Sequence, residues 1–213
     1  MERNNTKDWF QGHRDVFEEH VIGPAQEFVV EMGERLRAIS PGIVAIPKTD
    51  KSIFRIYRDT RFAADKTPYK THIGILFWEG GRKKLENSGY YLQLNKSSIF
   101  MGAGMHCFPR DMIKSYRDSV TNDKRGGQLS RAVASITGNN SYKVGGRHYK
   151  RVPAGYDTRH PRADLLRHNG LYAYRESPIP EEIYSPDFID YCFDVFRDMS
   201  PIHFWLLNLR DGE

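Results

Sequence analysis

SIFRIYR (residues 52–58), THIGILFW (71–78), GYYLQLN (89–95) and SSIFMGAGM (97–105) are four short runs rich in Ile, Phe, Tyr and Leu, separated by polar or glycine-containing breaks. Runs of this length and composition, bounded by turn residues, predict β-strands. The breaks are too short for helical crossovers, so the strands are expected to pair mostly antiparallel. On a strand Phe100, Gly102, Gly104 and His106 share one face, nearly bare between a phenyl ring and an imidazole. Such a face points to a bulge or a close approach of another element, or to room for a ligand beside His106.

Outside this region the apolar residues recur at helical spacing. In NTKDWFQGHRDVFEEHVIG (5–23), Asn5 or Thr6 can cap a helix carrying Trp9, Phe10, His13, Val16, Phe17 and His20. Pro24 suits the first turn of a second helix, with Phe28, Val29, Met32, Leu36 and Ile39 on one face, so an αα-hairpin is expected. After the strands, Pro109 opens a helix with Met112, Ile113, Tyr116 and Val120, and Leu129, Ala132, Val133 and Ile136 mark another. A basic, glycine-rich loop or hairpin follows at 142–156, then a helical turn after Pro161 and a strand at LYAYR. Ser185 and Pro186 start a last helix, expected to bend or restart at Ser200 and Pro201. The sum is an α+β chain, read as a single domain over 1–213, with a mainly antiparallel sheet packed against N-terminal and C-terminal helices.

Hydrophobic residues at 39% and aromatics at 13% exclude a disordered chain, although 28% of residues are charged. No apolar run reaches membrane-spanning length, and the first residues lack the layout of a signal peptide, so no membrane partner and a cytoplasmic location are expected. Cys107 and Cys192 fit no metal-binding spacing and, in that compartment, are expected to stay reduced. No phosphate loop, nucleophile elbow or HExxH pair occurs, and neither a cofactor nor a metal is expected. The net charge of +5 is unevenly spread: residues 51–84 hold nine Lys/Arg against three acids, residues 143–175 eight against two, and the last 38 residues two against nine. Basic segments of this kind favour anions: phosphates, carboxylates or nucleic acid.

The densest basic stretch is RIYRDTRFAADKTPYKTHIG (55–74), where Arg55, Arg58, Arg61, Lys66 and Lys70 are balanced locally only by Asp59 and Asp65. Strict alternation would turn Phe54 and Ile56 to one side and Arg55 and Tyr57 to the other, and Arg58 would then enter the apolar face, so a break or bulge is expected at Arg58. With both aspartates paired, three cations need partners from elsewhere. Asp187, Asp190, Asp194 and Asp198 could complete a structural ion-pair network. The other reading is an oxyanion site formed by Arg55, Arg58, Asp59, Arg61, Lys66, Tyr69, Lys70 and His106. Tyr57, Phe62 and Tyr69 interleave with the cations, as for base stacking in single-stranded nucleic acid, although Phe62 is expected to pack in the core.

The spacing RxxRDxRF followed by DKxPYK resembles the signature of a family of bacterial and fungal proteins grouped as domain of unknown function 2461. Further matching pieces are NNTKDWF (4–10), GYYLQL (89–94), FMGAG (100–104), His160-Pro161 followed by ADLL, and SPDF (185–188). The resemblance implies a short apolar helix ahead of the NN segment, which this sequence does not carry, and it implies no activity. Three functions therefore stand open: binding of an anionic small molecule or nucleic acid, an enzyme on a phosphorylated or carboxylated substrate with Asp59 or His106 as general base, and a protein-interaction module.

Overall fold

The computed structural model describes residues 3–210. Its strands are β1 (Ile43–Val44), β2 (Ile73–Glu79), β3 (Ser88–Leu94), β4 (Ser98–Met105), β5 (Lys143–Arg147) and β6 (His168–Pro178). They form one six-stranded antiparallel sheet in the order β1-β2-β3-β4-β6-β5, with helices from both ends of the chain, so the protein is α+β. The helices are α1 (Lys7–Gln11), α2 (Arg14–Phe17), α3 (Gly23–Arg37), α4 (Arg110–Thr121), α5 (Asp123–Thr137) and α6 (Phe188–Arg210). The chain divides into two compact units. The first comprises Met1–Phe77, Tyr91–Phe100 and Glu176–Phe193; the second comprises Trp78–Tyr90, Met101–Arg175 and Asp194–Glu213.

In the first unit α3 buries Ala25, Val29, Met32, Gly33 and Leu36, the spacing of one helical face. Gly33 permits a close approach, since a side chain there would fall on Ala45. The expected αα-hairpin does not form. A π-turn at Glu18–Ile22 joins α2 directly to α3 with helical backbone throughout. Pro24 has no N–H to give the preceding turn, and a π-turn shifts the hydrogen-bond register where that donor would be missing. Thr6 is the N-cap, its hydroxyl accepting from the Trp9 N–H at 3.3 Å.

In the second unit Asn122 caps α5 by accepting from the Arg125 N–H at 2.9 Å, and Tyr116, Val120 and Leu129 are fully buried. β5 is the 143–147 part of the glycine-rich segment, pairing Lys143 with Tyr174 and Val144 with Ala173 before its register slips between Gly145 and Arg147. Gly104 takes φ +129°, and a side chain there would collide with the Leu171 carbonyl and Tyr172, so the bare face of β4 is a close approach to β6. The last helix neither stops nor restarts at Pro201: α6 runs through it, and the Ser200 hydroxyl donates to the Phe196 carbonyl at 2.9 Å. Cys107 is exposed and Cys192 buried, both as free thiols, and burial pushes the Cys192 thiol up.

Candidate functional site

The first of the four strand-like runs forms no regular strand, although its Ile53 bridges Ile75 of β2. Residues 52–58 lie antiparallel to 68–76 as an irregular arm joined by isolated bridges, Ile53 to Ile75 and Tyr57 to Tyr69. Backbone bonds run from Leu76 N–H to Ser52 and from Phe54 N–H to Gly74, both at 2.9 Å, and then from Lys70 N–H to Ile56 at 2.7 Å and Arg58 N–H to Pro68 at 2.9 Å. Between the second and third of these, Arg55 alone faces Thr71, His72 and Ile73. The break expected at Arg58 therefore falls at Arg55. The buried apolar residues are Ile53 and Ile56, three apart, rather than the alternating Phe54 and Ile56.

Beyond the arm the two aspartates order the loop tip. Asp59 accepts from the Arg61 backbone N–H at 3.2 Å and from its Nε and Nη2 at 2.9 and 2.7 Å. Asp65 accepts from the Thr67 N–H at 2.9 Å and also from Arg58, whose guanidinium reaches the Thr67 hydroxyl as well. These bonds hold both carboxyls down to about 2, so Asp59 is a poor proton acceptor at neutral pH. Lys66 donates to the Thr60 carbonyl at 2.9 Å and Lys70 to the Arg55 carbonyl at 3.1 Å, and the Asp50 carboxylate also acts on the Lys70 charge.

Tyr69 is buried at 3% exposure, its backbone clasped by the Asn5 amide at 2.9 and 3.0 Å and its ring set between Phe10 and Tyr57. It braces the arm. Phe62, expected in the core, is 96% exposed, with the Arg61 guanidinium 5.9 Å from its ring centre. His106 belongs to the second unit and is exposed, its ring 5.4 Å from that of Tyr172. Three of the acidic C-terminal residues pair elsewhere: Asp190 with Arg35, Asp194 with Arg197 at 2.9 Å, and Asp198 with the Tyr142 hydroxyl at 2.7 Å.

The arm's mismatch forms one wall of a cavity of about 610 Å³ within the first unit. Lys70, Thr71, His72 and Ile73 line it, together with Arg3 and Asn4 ahead of α1 and Leu94, Asn95 and Lys96 at the β3–β4 turn. Asn95 shapes that turn by accepting from the Ser97 and Ser98 N–H groups, both at 2.8 Å, which fixes the backbone on either side of Lys96. The cavity thus receives three cations, Arg3, Lys70 and Lys96, and no Asp or Glu among the described residues. Burial, and next the Arg55 charge, lower the Lys70 pKa; burial, and next Lys70, lower that of His72. Burial is the larger cause of both shifts; the smaller part reflects neighbouring positive charge, opposed at Lys70 by Asp50. Of the candidate ligand residues read from the sequence, Lys70 lines the cavity; Arg3, Asn4, His72 and Lys96 were not among those candidates. A basic residue inside the short turn NKSS between two strands was the one legible signal for Lys96.

A second constellation had no sequence signal. The Ser88 hydroxyl and His203 Nδ1 lie 2.8 Å apart, and His203 Nε2 lies 3.5 Å from a Glu79 carboxylate oxygen. The order of groups is that of a nucleophile relay, but Ser88 is 1% and His203 0% exposed, so no substrate reaches the hydroxyl and the chain braces the core. Among the described residues no group of three or more His, Cys, Asp or Glu is placed to hold a metal, and no helix is long and apolar enough to cross a membrane.

Sheet, arm and cavity together define an α+β protein whose first unit carries a cavity beside an irregular β-arm. The chain belongs to the family described as Conserved hypothetical protein (DUF2461), whose model matches residues 1–205. No curated protein matches the sequence.

Proposed function

We propose that this protein binds an anionic ligand in the cavity beside the 52–76 arm, with Lys70, Arg3 and Lys96 supplying the countercharge. The observation that carries the reading is the cavity's one-sided chemistry: three cations and no described carboxylate within about 610 Å³. Two unit charges 4 Å apart attract by about 4 kcal/mol at the effective dielectric of a protein surface, so an anion entering the cavity gains from each cation it approaches. The arginine forks of the motif serve a different purpose. Arg58 and Arg61 are engaged by Asp65 and Asp59, and they stiffen the loop from which Lys70 is presented.

The test is thermal unfolding with inorganic phosphate. Wild type is expected to gain stability, by about 2.7 kcal/mol at 100 times the dissociation constant. Lys70→Met and Lys96→Met should each lose most of that gain. Equal stabilisation of wild type and both variants would put the anion elsewhere and end this reading.

A second reading rests on the loop tip, where Phe62 at 96% and Tyr57 at 53% exposure stand among Arg55, Arg61 and Lys66. Exposed rings among cations suit stacked bases of single-stranded nucleic acid, and base stacking contributes about 1–3 kcal/mol per base. Under that reading binding of an oligonucleotide falls steeply with salt and is lost in Phe62→Ala, whereas Lys96→Met leaves it intact.

A further inference from the structure

We infer that the anion taken by the cavity is amphipathic, a carboxylate or phosphate-monoester head carried on an apolar body of acyl-chain kind, an inference that rests on the anion-binding reading. Phosphate alone does not suit the space. At about 30 Å³ for each water in the liquid, a cavity of about 610 Å³ has room for roughly twenty, and it falls in the size range of pockets that enclose whole organic ligands.

The apolar part of the lining comes from Phe17, Val21, Ile56, Ile73 and Leu94. Phe17 and Val21 are four residues apart at the junction of α2 with the π-turn, a spacing that sets two side chains on one helical face. Ile56 is 8% exposed and belongs to the small cluster with Phe10 and Tyr69, against which Phe17 packs, so this wall is backed by core and does not collapse into the cavity. Ile73 closes the mismatched stretch of the arm and Leu94 ends β3, directly before the turn that carries Lys96. Ile73 and Leu94 come from the segments that supply Lys70, His72 and Lys96, while Ile56 comes from the facing run of the arm and Phe17 and Val21 from the end of α2 and the π-turn. Apolar and cationic groups therefore line a common space.

The head is held by ammonium and guanidinium charges and not by a fixed arginine fork, because Lys70 and Lys96 are point charges and the two forked arginines nearest in sequence are bound to aspartates. Such a rim accepts carboxylate and phosphate alike. Selection then falls to the body. A fully polar anion of the same charge would leave the wall of Phe17, Val21 and Leu94 facing water, whereas an alkyl body removes that wall from water together with its own surface.

The experiment is calorimetric titration of the full chain with two homologous series, alkyl carboxylates and alkyl phosphate monoesters of four to ten carbons, with butyrate, inorganic phosphate and octanol as references. Affinity is expected to rise about fourfold per methylene, the equivalent of about 0.8 kcal/mol, until the cavity is filled. The heat capacity of binding should grow more negative along each series. Octanol should bind far more weakly than octanoate. Val21→Ser and Leu94→Ser should flatten the chain-length dependence. Whichever series binds more tightly identifies the head. If phosphate and butyrate bind but affinity is flat with chain length, the amphipathic ligand is wrong and the anion site stands. If octanol binds as well as octanoate, or no anion of any length binds, the anion-binding reading falls and this inference falls with it.

Discussion

His203 lies in the core between the Ser88 hydroxyl and the Glu79 carboxylate, 4.6 Å from the ring of Tyr90. Burial disfavours its imidazolium more than Glu79 favours it, so its pKa is lowered below the ordinary value of 6.5. His72 and His168 are shifted in the same direction, also chiefly by burial. Around pH 6 the unfolded chain therefore binds more protons than the folded one, and stability rises with pH. It is complete above about pH 6.5 and is lost as pH falls through the lowered values. Urea midpoints measured between pH 7 and 5 should decline, with each such histidine contributing at most about 1.4 kcal/mol per pH unit. His203→Gln should flatten that acid limb, and a midpoint that rises on acidification would contradict the assignment. Arg58 is a second residue whose role the sequence left ambiguous. Since it fastens Asp65 and Thr67, Arg58→Ala should lower the melting temperature without ligand and leave the phosphate response in place. Loss of the phosphate response alone, at unchanged melting temperature, would return Arg58 to the ligand.

At the scale of the element, the departures from regularity do the positioning. A π-turn carries the chain past Pro24, a register mismatch at Arg55 opens the arm, and the positive φ of Gly104 lets β6 lie close to β4. The last of these is testable alone. Gly104→Ala places a side chain in a disfavoured backbone region, at a strain of about 1–3 kcal/mol, and against the Leu171 carbonyl and Tyr172. A loss of at least about 2 kcal/mol is expected in chemical unfolding. Gly81 sits in a loop, and a methyl group added there would meet nothing within 4 Å. It is the control, and its replacement by Ala should change stability by less than about 0.5 kcal/mol. Equal effects at the two glycines would show that the approach of β6 does not constrain β4.

Across the whole molecule the sheet and the arm differ in kind. Tyr90 and Leu92 sit in β3, paired on both sides by β2 and β4, whereas the arm is joined by isolated bridges and a few backbone bonds. Few and partly exposed backbone bonds open at low free energy, so the amides of Arg58 and Lys70 should exchange with solvent roughly tenfold or more faster than those of Tyr90 and Leu92. Uniform protection would make the arm part of the sheet after all. The same division separates what was legible in the sequence from what was not. Starts such as Pro109, the apolar faces of α3 to α5, and strands β2, β3 and β4 follow from neighbours a few residues apart, and the sequence by itself determined them together with the α+β class. It also determined the local pairing of Asp59 and Asp65 with arginines, because their spacing allows little else. Whether Phe62 would be covered, that α6 would run through Pro201, and that Lys70 would meet Arg3 and Lys96 were decided only by the tertiary structure. The joining of Ser88 to His203 belongs with them. Each of these depends on which distant segment arrives at a given surface, and neither hydrophobic period nor turn chemistry encodes that arrival.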